Sequence, residues 1–489
     1  MTVRQRLDRL RLVALGERTA TVDTASLPAI SPLRPVDLTD ETAVTEILDV
    51  AITVGEVLLD SGTGAIDTAA QVRLVASTYG VARCEVDVTY DSIQMSADRG
   101  ANLPAVTAMR GVKKRSLDYT RLAEVDSLVR RITTGRLRPD QARDRLAEIV
   151  AADHPYPRAV AALGWSGMAA AVTFLIGGSG WLALLSFATT TAIYSVNVGL
   201  ARISLPFFYQ QVAGGFLAVL PAAVLYRIGV SLSLGVEPYR VIVSGIIVLL
   251  AGLSLVGSVQ DAITGAPVTA AARFLEVLVF TAGVVAGVGM ALRVASKLGA
   301  TLPPLDQTAF GYASLPVMVL SSGAASACFA IACYAQARAL TASFLSGAVG
   351  ALVSGSLLDS GLGPVVASAT AATVVGLAGG LLARRAVVPP LIVAVAGITP
   401  LVPGLAVYRG LSEILDDQTS AALTDLASAL AVGCALAAGV TLGEWGARTI
   451  RRPRIRARFG DVHRPRLVAE RLGRPRRWRV VDADPDSRR

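Results

Sequence analysis

Histidine is almost missing from this chain. Its 489 residues hold only His154 and His463, which excludes a histidine-rich metal centre. Four cysteines, Cys84, Cys328, Cys333 and Cys434, form no CxxC pair, and three lie in apolar stretches, where a thiol behaves as a small hydrophobe. Lysine is limited to Lys113, Lys114 and Lys297. Charged residues make up 17% of the chain, against about a quarter in an ordinary soluble domain, while 53% is hydrophobic. A long apolar N-terminal core is also lacking. The sequence stays charged from Arg4 through Arg18, so no signal peptide is expected.

What the chain does have is long apolar runs, unevenly placed. Residues 1–157 read as soluble, 158–445 as a train of apolar blocks broken by Gly, Pro and isolated charges, and 446–489 as polar and basic. This asymmetry divides the chain into a flexible lead-in (1–37), an α+β domain (38–157), two membrane halves (158–300 and 301–445) and a basic tail (446–489). The net charge is +9, but fourteen arginines sit from Arg451 onward, beside the last apolar block. A basic cluster there suits a cytoplasmic flank facing anionic lipid rather than a nucleic-acid surface.

In the soluble part, Thr39 is placed to cap a helix, with Asp40 and Glu41 in its first turn. Val44, Ile47, Leu48, Ala51, Val54, Leu58 and Leu59 recur at helical spacing. Ser61-Gly62-Thr63-Gly64 breaks that helix, and a second runs from about Ala65 to Tyr79 and stops at Gly80. Cys84, Val86, Val88 and Tyr90 alternate with Glu85, Asp87 and Thr89, and the alternation resumes at Ile93, Met95 and Ala97 after a turn at Asp91-Ser92. The pattern predicts a hairpin with one buried face. Leu122, Val125, Leu128, Val129 and Ile132 mark a further helix, and Pro139 opens the last. Asp60-Ser61-Gly62 invites a hydrolase reading, yet the domain lacks a GxSxG elbow and has His154 as its only histidine. Glu85 and Asp87 read as the solvated face of the hairpin.

A helix needs about 20 apolar residues to cross a bilayer. Ten candidates occur, at about 158–177, 181–200, 210–234, 240–259, 274–296, 314–335, 339–358, 362–383, 387–408 and 421–444. Gly283 with Gly287, and Gly439 with Gly443, have the GxxxG spacing that lets helices approach closely. Trp181 and Trp445 suit the membrane interface, and Trp165 lies within a span. Ten crossings put both ends on one side. Arg110, Lys113, Lys114, Arg115 and the arginine-rich tail place that side in the cytoplasm. The loops agree in part. Arg202, Arg273, Arg338, Arg384 and Arg385 fall inside. Glu237, Asp306, Asp359, Glu413, Asp416 and Asp417 fall outside, diluted by Arg240, Arg293, Lys297 and Arg409.

Two short segments echo one another: Ile263-Thr264-Gly265-Ala266-Pro267 and Ile398-Thr399-Pro400-Leu401-Val402-Pro403. An arginine follows six residues past each proline (Arg273 after Pro267, Arg409 after Pro403), and an acid follows each arginine (Glu276, Glu413). Because five is odd, two halves of five spans have opposite orientation, as in the inverted repeats of many transporters. Gly and Pro free backbone groups that must face protein or a wet cavity. A zwitterionic solute needs such carbonyls, amides and charges. Thr264, Gly265, Pro267, Thr399, Pro400, Pro403 and Gly404 are therefore candidate path residues, with Arg273 and Arg409 as candidate carboxylate or gate contacts. The simpler reading of the two arginines is snorkelling at the interface. Ionisable groups at membrane depth are expensive and usually functional. Asp261 and Glu276, flanking the first element, are the candidate proton carriers, although Asp261 could instead pair with Arg273 and only fix the loop. Glu444 and Arg448 read as an i,i+4 pair, and Arg227 has no partner legible in sequence.

Several stretches together resemble the bacterial threonine/serine exporter family, in its single-chain actinobacterial form, over about residues 36–458. They are Leu58-Leu59-Asp60-Ser61-Gly62-Thr63, Gln71-Val72-Arg73, Tyr79-Gly80, Ala162-Leu163-Gly164-Trp165, the run from Ser244 to Leu253, the run from Gln260 to Thr269, and that from Ala396 to Leu405. The resemblance implies a polytopic α-helical membrane protein in which a small cytoplasmic α+β domain precedes ten helices in two five-helix halves. It further implies proton-driven export of L-threonine and L-serine across the inner membrane, without cofactor, metal or nucleic acid. The residues themselves leave two other readings open: a membrane-tethered hydrolase acting on peptides or amino-acid derivatives, and an amino-acid-gated sensor. Nothing in the sequence sets an oligomeric state.

Overall fold

Asp40, not Thr39, opens the first helix. In the computed structural model, which describes residues 36–100, 103–112, 117–231, 238–249, 252–299, 313–382, 388–415 and 418–451, the Thr39 hydroxyl is bound to Asp37 at 2.6 Å. The Asp40 carboxylate is left to accept from the free amides of Thr42 and Ala43. Helix α1 (Glu41–Asp60) then buries Val44, Ile47, Leu48, Ala51, Val54 and Leu58, the stripe its spacing marks. Gly62, at φ 91°, turns the chain into α2 (Ala65–Thr78), and Gly80, at φ 103°, ends it. Strands β1 (Cys84–Val88) and β2 (Ser92–Ala97) pair antiparallel, with Val86 opposite Met95 and Val88 opposite Ile93. The hairpin is not the whole sheet. A third strand, β3 (Val106–Gly111), pairs antiparallel with β2. No apolar alternation announces it, since its outward face carries Met109, 68% exposed. What fastens it is Arg110, which reaches Asp49 (2.9 Å) and Glu56 (3.0 Å) on α1. Helices α3 (Tyr119–Thr133) and α4 (Pro139–Ala151) complete this region.

The rest is helical: α5 (Arg158–Leu175), α6 (Gly180–Arg202), α7 (Phe207–Ser231), α8 (Pro238–Leu249), α9 (Gly252–Thr264), α10 (Pro267–Lys297), α11 (Leu315–Ala332), α12 (Ala337–Asp359), α13 (Pro364–Leu382), α14 (Pro390–Ile398), a 3₁₀ turn (Thr399–Leu401), α15 (Gly404–Leu415) and α16 (Thr419–Arg451). Among the described residues, eight helices are long and apolar enough to cross a membrane: α5, α6, α7, α10, α11, α12, α13 and α16. The other two expected spans are broken rather than continuous. The one at 240–259 is α8 and α9, bent by 44°. The one at 387–408 stops at the 3₁₀ turn, because Pro400 and Pro403 withhold amide hydrogens that a continuing helix would need. The same order thus occurs twice: three long helices, a broken pair and a long last helix.

In each half the third and fifth helices make the most extensive contact, and the GxxxG pairs explain why. A Cβ on Gly283 would stand 2.9 Å from the Phe208 carbonyl oxygen, and one on Gly287 would strike that of Val212, both on α7. In the second half, Gly439 and Gly443 lie in the same way against the carbonyl oxygens of Ala369 and Thr373 on α13. Hydrogen in place of a side chain lets backbones touch, where dispersion is strongest.

The N-terminal α/β region, residues 36–157, is not loosely tethered. Its core runs without interruption into the helices, through Met168, Phe329, Cys333, Ile392 and Val393. Tyr119 meets Phe329 edge-on at 6.2 Å, and Trp165 meets the same ring at 5.7 Å. The Tyr119 phenol is pushed well above the usual value by burial. The turn after α11 is gripped from the soluble side. The Tyr119 amide donates to the Cys333 carbonyl (2.9 Å), the Thr120 hydroxyl to that of Tyr334 (2.5 Å), and the Tyr156 hydroxyl to that of Ile331 (2.7 Å). The expected lead-in up to residue 35, Lys113 to Arg115, Glu237, Asp306, Arg384, Arg385, Asp416, Asp417 and the tail from residue 452 lie outside the described residues.

Candidate functional site

The break between α9 and α10 is made by Gly265 at φ 102° and by Pro267, whose missing amide hydrogen is harmless at the first position of a helix. The amides of Gly265 and Ala266 both donate to the Asp261 carbonyl, at 3.1 and 2.8 Å, closing the end of α9. The Thr264 hydroxyl turns back to the Gln260 carbonyl (2.9 Å). This tight reversal sets Arg273, nearly two turns into α10, against the end of α9. Its Nη1 lies 2.8 Å from Asp261 Oδ2, with side-chain exposures of 7% and 1%. Arg273 is therefore buried in protein and does not snorkel.

The second carboxylate oxygen of Asp261 looks outward from the helices. It accepts the Ala65 amide at 3.1 Å, so an aspartate at the end of α9 caps the first turn of α2 in the N-terminal α/β region. Gly64 permits this approach, since a Cβ there would stand 3.2 Å from Asp261 Oδ1. Three positive or donor groups thus converge on one carboxylate: a guanidinium, an amide and the positive end of a helix.

A cavity of about 80 Å³ opens beside the pair. Thr63, Asp67 and Gln71 line it from the N-terminal region, Gln260, Asp261 and Arg273 from the break, residues 389–391 from the start of α14, and Glu444 and Arg448 from the end of α16. Glu444 is buried, and Arg448 Nε donates to the Glu444 carbonyl at 3.3 Å.

The remaining sequence-derived candidates lie elsewhere. Glu276 is partly buried and sits more than two turns into α10, because that helix begins at Pro267 and not near residue 274. Thr399 is buried, with its hydroxyl on the Val395 carbonyl (2.8 Å), and Gly404 backs onto Ile247 of α8. Pro400, Pro403 and Arg409 are partly buried. None of these lines the cavity, so the two Gly/Pro elements do not meet there. His154 lies 2.8 Å from Asp118 and stacks on Tyr334 at 4.0 Å. Thr63, Asp67, Gln71, Glu444 and Arg448 were not among the sequence-derived candidates. The signals available were that Thr63 and Gln71 fall inside stretches carrying the family resemblance, and that Glu444 is an ionisable group at the end of a span, read with Arg448 as an i,i+4 pair.

A family model described as "Putative threonine/serine exporter" matches residues 49–295, and a second, "Threonine/Serine exporter, ThrE", matches residues 318–445. A threonine/serine exporter of Corynebacterium glutamicum is 44% identical over 448 residues, covering 91% of this chain and 91% of that protein. A Mycobacterium tuberculosis protein described as "Probable threonine/serine exporter" is 40% identical over 432 residues, covering 87% of this chain and 80% of its own length. No solved structure matches.

Proposed function

The chain is a multi-pass membrane protein that belongs to the threonine/serine exporter family, and on that premise we propose that it exports L-threonine and L-serine across the inner membrane in exchange for protons. The observation that carries the mechanism is the buried Asp261–Arg273 pair at a helix break, beside a cavity that the soluble domain closes. Asp261 carries the proton, with Glu276 as the second candidate. Neutralising Asp261 would loosen its hold on both Arg273 and α2, which opens the cavity to the cytoplasm. Thr264, Gly265 and Pro267 form the turn that holds Arg273 against Asp261. Thr399, Pro400, Pro403 and Gly404, with Arg409, form the corresponding element on the far side.

Ten crossings in two inverted halves, with both termini in the cytoplasm, suit the contacts. The soluble domain touches the α9–α10 turn, the α11–α12 turn, the start of α14 and the end of α16. An alternating ten-crossing path brings all four to one side. The backbone bond from Ala313 to Leu175 (3.2 Å) joins two ends which that path brings to the other. The driving force is adequate: one charge crossing roughly 150 mV yields about 3.5 kcal/mol, or two to three decades of solute gradient. Counterflow of labelled L-threonine into proteoliposomes preloaded with L-threonine tests carrier activity, and no counterflow with either threonine or serine rejects it.

A further inference from the structure

Two groups in the cavity wall meet no hydrogen-bonding partner among the described residues. Thr63 Oγ1 and Gln71 Oε1 are both buried, each residue at 4% exposure. Buried polar atoms are almost always satisfied, so two such atoms facing one cavity call for something to satisfy them. Thr63 comes from the turn between α1 and α2, and Gln71 from the second turn of α2. Asp67 lies one turn before Gln71 on the same helix. Across the cavity stand Glu444 and Arg448, one turn apart on α16.

The wall therefore carries carboxylates, the guanidiniums of Arg273 and Arg448, and the uncharged oxygens of Thr63, Gln71 and Gln260. That set complements a small hydroxylated α-amino acid. The ammonium suits Asp67 and Glu444, the carboxylate suits Arg448, and the side-chain hydroxyl suits Thr63 and Gln71. The volume agrees. At 10–15 Å³ for each water-sized occupant, about 80 Å³ holds roughly five to eight, near the heavy-atom count of such a molecule and far below that of a nucleotide. We propose that this cavity is the cytoplasmic-side binding site for the transported amino acid, and that Thr63 and Gln71 of the soluble domain read its hydroxyl group. The inference rests on the exporter reading for its place in the transport cycle. The soluble domain then supplies half of the substrate site. A side chain of the same shape without the hydroxyl, that of valine, leaves both oxygens unsatisfied and is rejected.

The test uses the full chain in detergent micelles and in proteoliposomes, with L-threonine and L-valine as probes. Thr63→Val and Gln71→Met remove the two oxygens at nearly constant volume. Each is expected to weaken L-threonine binding and raise its KM about tenfold, while L-valine, which no longer leaves that oxygen unsatisfied, binds more tightly than to the parent. Folded variants that discriminate threonine from valine as the parent does would overturn the proposal, the cavity then holding water only. Should either variant fail to fold, Thr63→Cys answers the question. L-threonine, and not L-valine, should slow thiol labelling at position 63 at least fivefold over the parent background, and equal labelling sinks the site. A parent that binds threonine selectively but carries none would refute the exporter reading and leave the site standing. A parent that transports, with variants of unchanged KM, would refute the site alone.

Discussion

Asp261→Asn is the sharpest perturbation, because asparagine keeps an oxygen for the Ala65 amide and removes only the charge. At the observed 2.8 Å, the attraction between Asp261 and Arg273 is about 6 kcal/mol at an effective dielectric constant of about 20, before both ions are desolvated. Desolvation consumes most of that, so the pair adds little net stability. Removing one partner leaves the desolvation of the other uncompensated and costs about 3–5 kcal/mol. Arg273→Met should cost less, about 1–3 kcal/mol, because the Asp261 carboxylate keeps the Ala65 amide and a helix dipole worth up to about 2 kcal/mol. The double variant should recover part of the loss, with a coupling of about 2 kcal/mol. Since α2 is held at its first residue by Asp261, hydrogen exchange over residues 65–68 reads the effect directly. Asp261→Asn should speed exchange there by about a hundred- to several-thousand-fold, with the double variant between it and the parent. Unchanged exchange in Asp261→Asn, or a double variant worse than both singles, would refute the reasoning.

Other consequences follow from the same contacts. Gly287→Val or Gly443→Val forces side-chain atoms into the carbonyl oxygens of Val212 or Thr373, so each should cost about 1–3 kcal/mol or more in thermal unfolding. Gly199→Ala, with nothing within 4 Å of the added carbon, should leave the transition in place. Reporter fusions at Val22 and Asp482 should both report the cytoplasm, and opposite sides would remove the ten-crossing arrangement. Tyr119→Ala empties a fully buried site against Phe329 and should cost about 3–5 kcal/mol, read as protease sensitivity of the soluble domain.

Much of the local structure could be read from residue spacing. The α1 stripe, the Gly80 stop, the hairpin pairing and the two GxxxG contacts each depend on residues close in sequence, where periodicity and backbone chemistry decide. The misses depend on distant partners. Strand β3 has little apolar signal, because its inward face puts only Val106 and Ala108 against the core and Arg110 ties it to α1. The bend between α8 and α9 contains no proline to announce it. Arg273 looked like an interfacial side chain until the turn at Gly265 folded it onto Asp261. The cavity was out of reach for the same reason. Its walls come from α2, α9, α10, α14 and α16, and Thr63 and Gln71 look like ordinary turn and helix residues until the helices meet them. The continuity of the soluble core with Phe329 and Ile392 likewise joins segments more than 200 residues apart.

Proton-driven export is tested most directly by labelled L-threonine movement in proteoliposomes under an imposed pH gradient, comparing the parent with Asp261→Asn at matched protein levels. The parent should move threonine against its own gradient until an uncoupler collapses the pH difference. Asp261→Asn should still exchange threonine yet fail to drive it uphill. Uphill movement that survives the uncoupler would contradict proton coupling, and full uphill movement by Asp261→Asn would take the proton away from Asp261 and leave Glu276 as its carrier.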